Sequence, residues 1–383
     1  MRATRRARRR RVAVVTGTRA EYGLLRSTME AIERRGDLAL QVVVTGMHLL
    51  PKFGRTADEI RSDGFRVHAR IPMQRGDDRP IDQAAGLARG VQGIARFLLR
   101  ARTDIVVVLG DRIEALAGAL AGVTTGKLVA HIHGGDRAPG DFDDSLRHAI
   151  SKLAHLHLTA TEAASRRLIR MGEAPERVHR VGAPGLDRLR ELAHERRPGK
   201  RPSGMALVVQ HPCGRSAEQE RQVMARVLEA VRLEGLHRRI VYPNSDRGHG
   251  GILAAIRAHG RAALNGEVET FRSLPRDEFL RLLLGVDVIV GNSSSGVIEA
   301  AAARTPTVNV GSRQRGRERD GRGVVDVEES TAAIRRGIRR ALSLRPIRRR
   351  RSVYGEGRAG PRIAELLARV PLEATFLHKL NAF

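Results

Sequence analysis

Residues 286–296 read Val-Asp-Val-Ile-Val-Gly-Asn-Ser-Ser-Ser-Gly, and this stretch is the clearest indication of the fold. Its apolar run has the length of a strand and stops at small hydroxyl residues, a change that is typical of a parallel strand leading into a helix. The first turn of a helix has unpaired N–H groups and the positive end of the helix dipole, which favour a bound anion. We expect a phosphate to bind Ser293, Ser294, Ser295 and Gly296, and a ribose to bind Glu299. Ordinary capping by serine is the alternative.

The rest of the chain repeats this alternation of short apolar runs and amphipathic stretches, which predicts β-α units in parallel sheets. Strands are predicted at Val12–Thr16, Leu40–Thr45, Val67–Ile71, Ile105–Leu109, Leu128–Ile132 and Leu156–Thr159, and then at Ala206–Gln210, Arg239–Tyr242, Val268–Phe271, Val286–Val290 and Thr307–Val310. The fold class is therefore α/β, with two doubly wound domains. Such folds bind ligands at the carboxyl ends of their strands, so we expect a cleft between the two domains.

The predicted domain boundaries follow from composition. Pro184, Pro198 and Pro202 flank or interrupt a strongly charged stretch, which indicates a linker. The predicted organisation is a disordered basic tail (1–11), a first domain (12–187), a linker (188–203), a second domain (204–362) and a helical tail (363–383).

Composition excludes several classes of protein. The 383 residues are 41% hydrophobic, yet no apolar run approaches the roughly 18 residues of a membrane span, so we expect no membrane partner. The basic residues 1–11 precede only a short apolar segment, which is not the pattern of a secretion signal. The single cysteine excludes a disulfide framework and is compatible with a reducing cytoplasm, where we place the protein.

The formal charge of +27 raises the question of nucleic-acid binding. Beyond the first eleven residues, however, the charge is mostly arginine scattered over predicted helices rather than gathered in one stripe. Aromatic residues make up 3% of the chain and Trp is absent, so platforms for stacking bases are scarce. The sequence therefore disfavours nucleic acid as a partner.

Candidate site residues follow several strands of the first predicted domain. The turn after the first strand contains Arg19 and Glu21 and lacks G-x-G-x-x-G, which argues against a dinucleotide cofactor. Arg19 is a candidate phosphate ligand. Asp111 follows a later strand, and the next strand leads into His133 and Asp136.

A predicted helix just beyond that turn adds Asp143, Arg147 and His148. Grouped His and Asp indicate general acid-base catalysis or a metal site, and no compact metal motif is present, so we expect no metal. A network of polar side chains that only holds loops is the alternative. In the second predicted domain, His211, Arg272 and Arg313 also follow strands.

Several ordered motifs carry a family resemblance over about residues 12–363. The motifs are Thr16-Gly17-Thr18-Arg19-Ala20-Glu21-Tyr22, Val44-Thr45-Gly46-Met47-His48-Leu49, Gly110-Asp111-Arg112, His131-Ile132-His133-Gly134-Gly135-Asp136, Arg147-His148-Ala149-Ile150-Ser151-Lys152, Gln210-His211-Pro212, Gly291-Asn292-Ser293-Ser294-Ser295-Gly296 and Ser352-Val353-Tyr354-Gly355-Glu356-Gly357. The chain resembles the hydrolysing UDP-N-acetylglucosamine 2-epimerases of sialic and related nonulosonic acid biosynthesis.

The resemblance implies a glycosyltransferase-B-like fold of two Rossmann-like domains, with the nucleotide bound mainly by the second. It implies conversion of UDP-N-acetylglucosamine to N-acetylmannosamine and UDP, by anti elimination of UDP and hydration of a 2-acetamidoglucal. No cofactor is implied, neither metal nor NAD. Relatives of this kind are often homodimers or homotetramers, which we also expect here.

The resemblance also assigns roles to residues by position. Asp111 and Asp143 match acid-base carboxylates, and His211 matches a histidine beside the diphosphate. Ser293, Ser294 and Glu299 match phosphate and ribose contacts, and Arg19, Arg272 and Arg313 fit as diphosphate partners. The chain departs from the family where His133 replaces a Glu of some relatives and where Asp136 replaces a Glu of many. The residues Pro139-Gly140-Asp141 follow, so the identity of the proton donor and of the sugar stays open.

Five alternative functions are also open. The substrate is GDP-linked, or a 2,4-diacetamido-6-deoxy sugar of legionaminic-type pathways, or the enzyme is a non-hydrolysing epimerase. A glycosyltransferase shares the expected fold. A catalytically inactive polyanion-binding protein would use the basic tail at residues 1–11.

Overall fold

The computed structural model describes residues 8–51, 56–74, 80–137, 143–195, 204–244, 247–263, 266–272, 274–319, 321–345, 347 and 352–382. The chain divides into two compact units. Unit 1 comprises Met1–Asp136, Phe142–Asp187 and Arg358–Phe383, and unit 2 comprises Arg137–Asp141 and Arg188–Gly357.

Unit 1 is built on a seven-stranded parallel sheet in the order β3-β2-β1-β4-β5-β6-β7. Its strands are β1 (Arg10–Thr16), β2 (Leu38–Thr45), β3 (Val67–Ile71), β4 (Ile105–Leu109), β5 (Leu128–Ile132), β6 (Leu156–Thr159) and β7 (Val178–Arg180). The helices between the strands are α1 (Arg19–Glu33), α2 (Ala57–Ser62), α3 (Pro80–Arg100), α4 (Ile113–Thr124), α5 (Asp143–Leu153) and α6 (Glu162–Arg170). Helix α7 (Gly185–Glu195) follows β7 and contains the boundary between the two units, after Asp187. Every residue of β4 and β5 is buried, because the two faces of the sheet are covered by separate apolar clusters.

Unit 2 contains a six-stranded parallel sheet in the order β10-β9-β8-β11-β12-β13. Its strands are β8 (Met205–Val209), β9 (His237–Val241), β10 (Val268–Phe271), β11 (Val288–Gly291), β12 (Thr307–Val310) and β13 (Val324–Val327). Its helices are α8 (Ala217–Leu233), α9 (His249–Ala262), α10 (Arg276–Gly285), α11 (Glu299–Ala303) and α12 (Thr331–Ser343). In both sheets the strand order reverses once, between β1 and β4 and between β8 and β11, and ligands of doubly wound folds bind at such reversals.

Helices α8 and α9 approach each other closely at Gly251. A Cβ built on this glycine would overlap the backbone carbonyl of Ala217, at the first turn of α8. The neighbouring Gly250 faces open space, with nothing within 4 Å of a built Cβ. Close packing of the two helices therefore depends on the missing side chain of Gly251.

The last part of the chain returns to unit 1. Helix α13 (Ala359–Arg369) packs against α1, and α14 (Ala374–Leu377) follows it. The carboxylate of Asp187 accepts hydrogen bonds from the backbone N–H groups of Ala359 and Gly360, at 2.9 and 2.7 Å. The sequence predicts residues 363–383 as a separate tail, whereas the structure places them in unit 1, because α13 buries an apolar face there.

Other differences lie at the ends of elements. Strands β7 and β13 are not predicted from the sequence, since both are short strands at sheet edges: β7 has one apolar residue, and β13 has only four residues with Asp326 among them. Helix α7 continues through the first eight residues of the predicted linker, to Glu195, and residues 196–203 lie outside the described residues. Strand β1 begins at Arg10, inside the predicted disordered tail, and residues 1–7 are likewise not described.

Candidate active site

An ion pair between Asp111 and Arg147 lies at the carboxyl end of β4 in unit 1. One guanidinium nitrogen of Arg147 donates to Asp111 Oδ2, and the other donates to the backbone carbonyl of His133 at 3.0 Å. Arg147 is 3% exposed, whereas the side chain of Asp111 keeps 23% of its surface accessible. A buried cation thus fixes a carboxylate that solvent or a ligand can reach.

The buried imidazole of His131 bonds the backbone of the residue before Asp111. Its Nε2 donates to the carbonyl of Gly110 at 2.8 Å, so its Nδ1 accepts from the hydroxyl of Ser151, 3.1 Å away. Burial lowers the pKa of His131 to about 3, which keeps the ring neutral. Ser151 and Arg147 are one turn apart on α5 and share a helix face. Arg147 bonds Asp111 directly, and Ser151 bonds His131, which in turn bonds the carbonyl of Gly110.

The neutral state of His131 predicts a loss of stability in acid. In the unfolded chain a histidine binds a proton below about pH 6.5, whereas folded His131 does so only near pH 3, so acidification favours unfolding. Between pH 7 and pH 5 this residue lowers the free energy of unfolding by about 2 kcal/mol. We expect H131Q to lose less stability than the wild type over this interval, as measured by urea denaturation at both values. An equal pH dependence in the two proteins would contradict the assignment.

His133 adopts a left-handed backbone conformation directly after β5, with φ of 62°. Its Nδ1 lies 2.9 Å from Asp136 Oδ2, and both side chains are buried. A strand that continued through His133 would put His131 and His133 on the same face of the sheet, but His133 stands in the turn after β5, so this alternation does not apply. Such a conformation is costly for a residue other than glycine and is often found at functional sites. A carboxylate-backed imidazole therefore lies beside the Asp111–Arg147 pair.

The first turn of α5 contributes Asp143, which is exposed, and Asp144. Asp144 forms an i,i+4 ion pair with His148 at 3.6 Å. Asp143 stands four residues before Arg147 on the same helix, so the two share a face. The preceding Pro139-Gly140-Asp141 lies outside the described residues.

Arg19 and Glu21 are both engaged within unit 1. Arg19 Nε lies 2.6 Å from Glu59 Oε2. Glu21 is 5% exposed and accepts the backbone N–H of Gly17 at 2.7 Å. Burial raises the pKa of Glu21 to about 8, and the carboxylate of buried Glu114 contributes to the rise. A Cβ on Gly17 would lie 2.5 Å from Glu114 Cγ, so the turn is packed directly against this second acid.

His211 occupies the turn after β8 in unit 2. Its Nδ1 accepts the backbone N–H of Asn244 at 3.1 Å, which leaves the proton of the neutral ring on Nε2. Burial, and next the charge of Arg313, lower the pKa of His211 to about 3. Asn292 holds the His211 backbone with two hydrogen bonds, from His211 N at 2.7 Å and to His211 O at 2.8 Å. His211 therefore presents a neutral N–H donor.

The serine stretch after β11 forms a tighter turn than the sequence predicts. Residues Ser294–Gly296 form a 3₁₀ turn, and α11 begins only at Glu299 and has five residues. Ser293 Oγ lies 2.7 Å from Ser295 Oγ and accepts the Ser295 N–H, so Ser293 caps the turn. The short helix offers less dipole than predicted, and the hydroxyls of Ser293 and Ser294, both partly accessible, are the remaining candidates for a phosphate.

The three charged residues of unit 2 that the sequence predicts to bind ligand lie in three different surroundings. Arg313 Nη1 donates to the Asn292 carbonyl at 3.2 Å, beside the serine turn. Arg272 is exposed at the end of edge strand β10, three strands from β11, so the structure does not bring it to that turn. Glu299 is buried and pairs with Arg276 at 2.7 Å. Sequence reasoning missed Arg276, which carries no motif, and Asn292, which stands inside the quoted motif.

Within unit 1 direct contacts therefore join Asp111, Arg147, His133 and Asp136, and within unit 2 they join His211, Asn292 and Arg313 next to the serine turn. Among the described residues, no group of three or more His, Cys, Asp or Glu side chains is arranged to hold a metal ion. No helix in the described ranges is long and apolar enough to span a bilayer.

Several known proteins are similar to this chain in sequence. The model of the family described as UDP-N-acetylglucosamine 2-epimerase matches residues 30–368. The chain is 37% identical over 381 residues to a UDP-N,N'-diacetylbacillosamine 2-epimerase (hydrolyzing) of Legionella pneumophila, covering 98% of this chain and 100% of the relative. It is 34% identical over 344 residues to a UDP-N-acetylglucosamine 2-epimerase of Neisseria meningitidis, covering 88% of each.

Solved structures show the same fold. The Neisseria meningitidis UDP-GlcNAc 2-epimerase bound to UDP-GlcNAc matches with a TM-score of 0.76, over 93% of this chain and 99% of that one, at 16% identity. The Methanocaldococcus jannaschii enzyme in complex with UDP-GlcNAc and UDP matches with a TM-score of 0.74, over the same shares, at 17% identity. The expected glycosyltransferase-B-like class, with two Rossmann-like units, is thereby confirmed.

Proposed function

Because this chain belongs to the UDP-N-acetylglucosamine 2-epimerase family, we propose that it is a hydrolysing 2-epimerase, which converts a UDP-linked 2-acetamido sugar to UDP and the free 2-epimeric sugar. The observation that carries the proposal is the accessible carboxylate of Asp111, held by buried Arg147 beside the His133–Asp136 pair. Proton transfer at a sugar carbon needs such groups at fixed positions.

The preferred substrate in this proposal is UDP-N,N'-diacetylbacillosamine. The Legionella pneumophila relative named for this substrate matches almost the whole of both chains. UDP-N-acetylglucosamine is the second candidate, because the Neisseria meningitidis relative is named for it at a similar identity. The two sugars share the 2-acetamido group and the diphosphate at C1, so the same chemistry serves both.

The proposed reaction has two steps. A base removes the proton at C2 while the bond between C1 and the diphosphate oxygen breaks, which releases UDP and leaves a 2-acetamidoglucal. Water then adds across the C1–C2 double bond, placing hydroxyl on C1 and a proton on the opposite face of C2. Removal of a weakly acidic proton needs a base, and departure of an anion needs nearby donors.

We assign the proton transfers to unit 1. Asp111 is the base, since its carboxylate is oriented by Arg147 and accessible. His133 is the proton donor in its protonated form: Asp136 accepts from Nδ1–H, and the proton on Nε2 passes to C2 during hydration. Asp143, on the same helix face as Arg147, is the second carboxylate and accepts the proton that water loses when its hydroxyl adds to C1. His148 binds the sugar from the next turn of α5.

We assign nucleotide binding to unit 2. The N–H at Nε2 of His211 donates to the diphosphate, and so do the hydroxyls of Ser293 and Ser294. Arg313, held at the Asn292 carbonyl, adds positive charge. Glu299, oriented by Arg276, binds the ribose hydroxyls. A neutral histidine donor works over a wide pH range, since its pKa lies far below neutrality.

Proton NMR in heavy water tests the proposal. We expect incubation with either UDP sugar to yield free UDP and a 2-epimer that carries deuterium at C2. A product in which the 2-epimeric sugar is still covalently linked to UDP would identify a non-hydrolysing enzyme. Dependence on an acceptor without exchange at C2 would identify a glycosyltransferase. Preference for the GDP-linked sugar would show that the nucleobase of the substrate is guanine and not uracil. Release of no nucleoside diphosphate from any of these sugars would defeat the proposal.

A further inference from the structure

The C-terminal segment 374–382 is attached to the rest of unit 1 by buried polar contacts that the proposed reaction does not use. Lys379 Nζ donates to Glu173 Oε2 and to the Ala154 carbonyl, both at 2.8 Å, and lies 3.4 Å from the Ser151 carbonyl. The ammonium group thus has an acceptor for each of its three protons, while its side chain is 11% exposed.

Glu173 is the centre of this cluster and is 1% exposed. It also accepts from His157 Nε2 at 2.8 Å and pairs with Lys152 Nζ at 2.8 Å. Burial alone would raise the pKa of Glu173, but the hydrogen bonds from His157, Lys152 and Lys379 lower it to about 2. A buried carboxylate with three partners is rigidly placed, because each hydrogen bond restricts its position and losing one costs free energy in the interior.

Further contacts fix the segment on both sides of Lys379. The guanidinium of Arg177 stacks on the ring of Phe376, 4.0 Å from its centroid. The imidazole of His155 bonds the Leu377 carbonyl at 3.1 Å, and the N–H of Ala382 bonds the Gly172 carbonyl at 2.9 Å. The segment is therefore fastened at several points.

The cluster touches the same helix that orients the carboxylate of the active site. Lys379 binds carbonyls at the C-terminal end of α5, where a helix has unpaired acceptors and the negative end of its dipole. Ser151, at this end, bonds His131, whose other nitrogen bonds the carbonyl of Gly110. A second connection does not pass through α5. His157, which bonds Glu173, lies on β6 directly beside His131 on the neighbouring strand β5.

We propose that Lys379 is a positioning residue for Asp111, acting through the end of α5 and the Ser151–His131–Gly110 hydrogen bonds. The inference rests on the function proposed above for Asp111. The segment contacts the end of α5, whose Ser151 bonds His131, and touches no reacting atom. Small displacements of a base cost much activity, so loss of Lys379 acts on turnover.

The test compares K379M, K379R and the control L380A, whose leucine is 84% exposed. At a temperature where circular dichroism shows all proteins folded, we expect kcat of K379M to fall about tenfold with KM within about threefold. K379R should recover most of the loss, since a guanidinium reaches the same acceptors. L380A should match the wild type.

A second readout does not need substrate. Long-range proton–nitrogen NMR spectra report which ring nitrogen of a histidine carries the proton, and H131Q identifies the signal of His131. We expect the Nε2–H signal of His131 to shift or broaden in K379M and to stay unchanged in L380A. A K379M protein with a lower melting temperature but wild-type kcat would reduce Lys379 to a structural clamp and overturn the proposal, as would an unchanged His131 signal. An inactive wild type would defeat the proposed function, and the NMR readout would still decide whether Lys379 holds His131.

Discussion

Replacing Asp111 with asparagine is expected to lower kcat about 10³-fold, because an amide cannot accept the proton at C2. KM should change by less than about threefold, since the side chain keeps its size and its hydrogen bond to Arg147. Exchange of the C2 proton with heavy water, followed by NMR, should disappear together with release of UDP. Retention of more than a tenth of the activity would remove Asp111 from the role of base.

The matched control is D104N, the same chemical change just before the amino end of strand β4. Asp104 accepts the Arg11 N–H at 2.8 Å and pairs with Arg8, so its loss affects stability but not the site. We expect its kcat to stay within about twofold of the wild type. Because D111N leaves buried Arg147 without a carboxylate, its unfolding free energy should fall by about 3 kcal/mol, and the assay is made well below its melting temperature.

Adding one methyl group at Gly251 is expected to destabilise unit 2 by about 3 kcal/mol or more. The new Cβ of G251A would overlap the Ala217 carbonyl, and the helix backbone cannot yield as a flexible side chain would. Denaturant unfolding followed by circular dichroism measures the effect. Activity should fall with it, because the first turn of α8 lies just beyond the His211 turn.

The adjacent glycine supplies the control for this change. G250A adds the same methyl group one residue earlier in α9, where it meets nothing within 4 Å. Alanine is the better helix former, so the unfolding free energy should be unchanged or higher by up to about 1 kcal/mol. Equal stability of the two variants would show that α8 and α9 are not packed as described.

The sequence predicts the two sheets because buried parallel strands are continuous apolar runs, and Ile105–Leu109 and Thr307–Val310 agree with the structure to the residue. Edge strands such as β7 lack this signal. The turn residues Asp111 and His211 were found because they directly follow strands. Partners from distant positions, such as Arg276 for Glu299 and Lys379 for Glu173, follow from packing and leave no local pattern in the sequence.

The tight contact between Gly17 and Glu114 has a consequence for how this chain diverges over time. The backbone of Gly17 is not left-handed, so the requirement for glycine comes from packing: a built Cβ would lie 2.5 Å from Glu114 Cγ and 2.8 Å from Glu114 Cβ. Because the Cβ of Glu114 is part of this clash, shortening the glutamate to aspartate or alanine does not make room for an alanine at position 17. Change at position 17 is therefore coupled to the placement of helix α4, which carries Glu114, and not only to the loss of the acid.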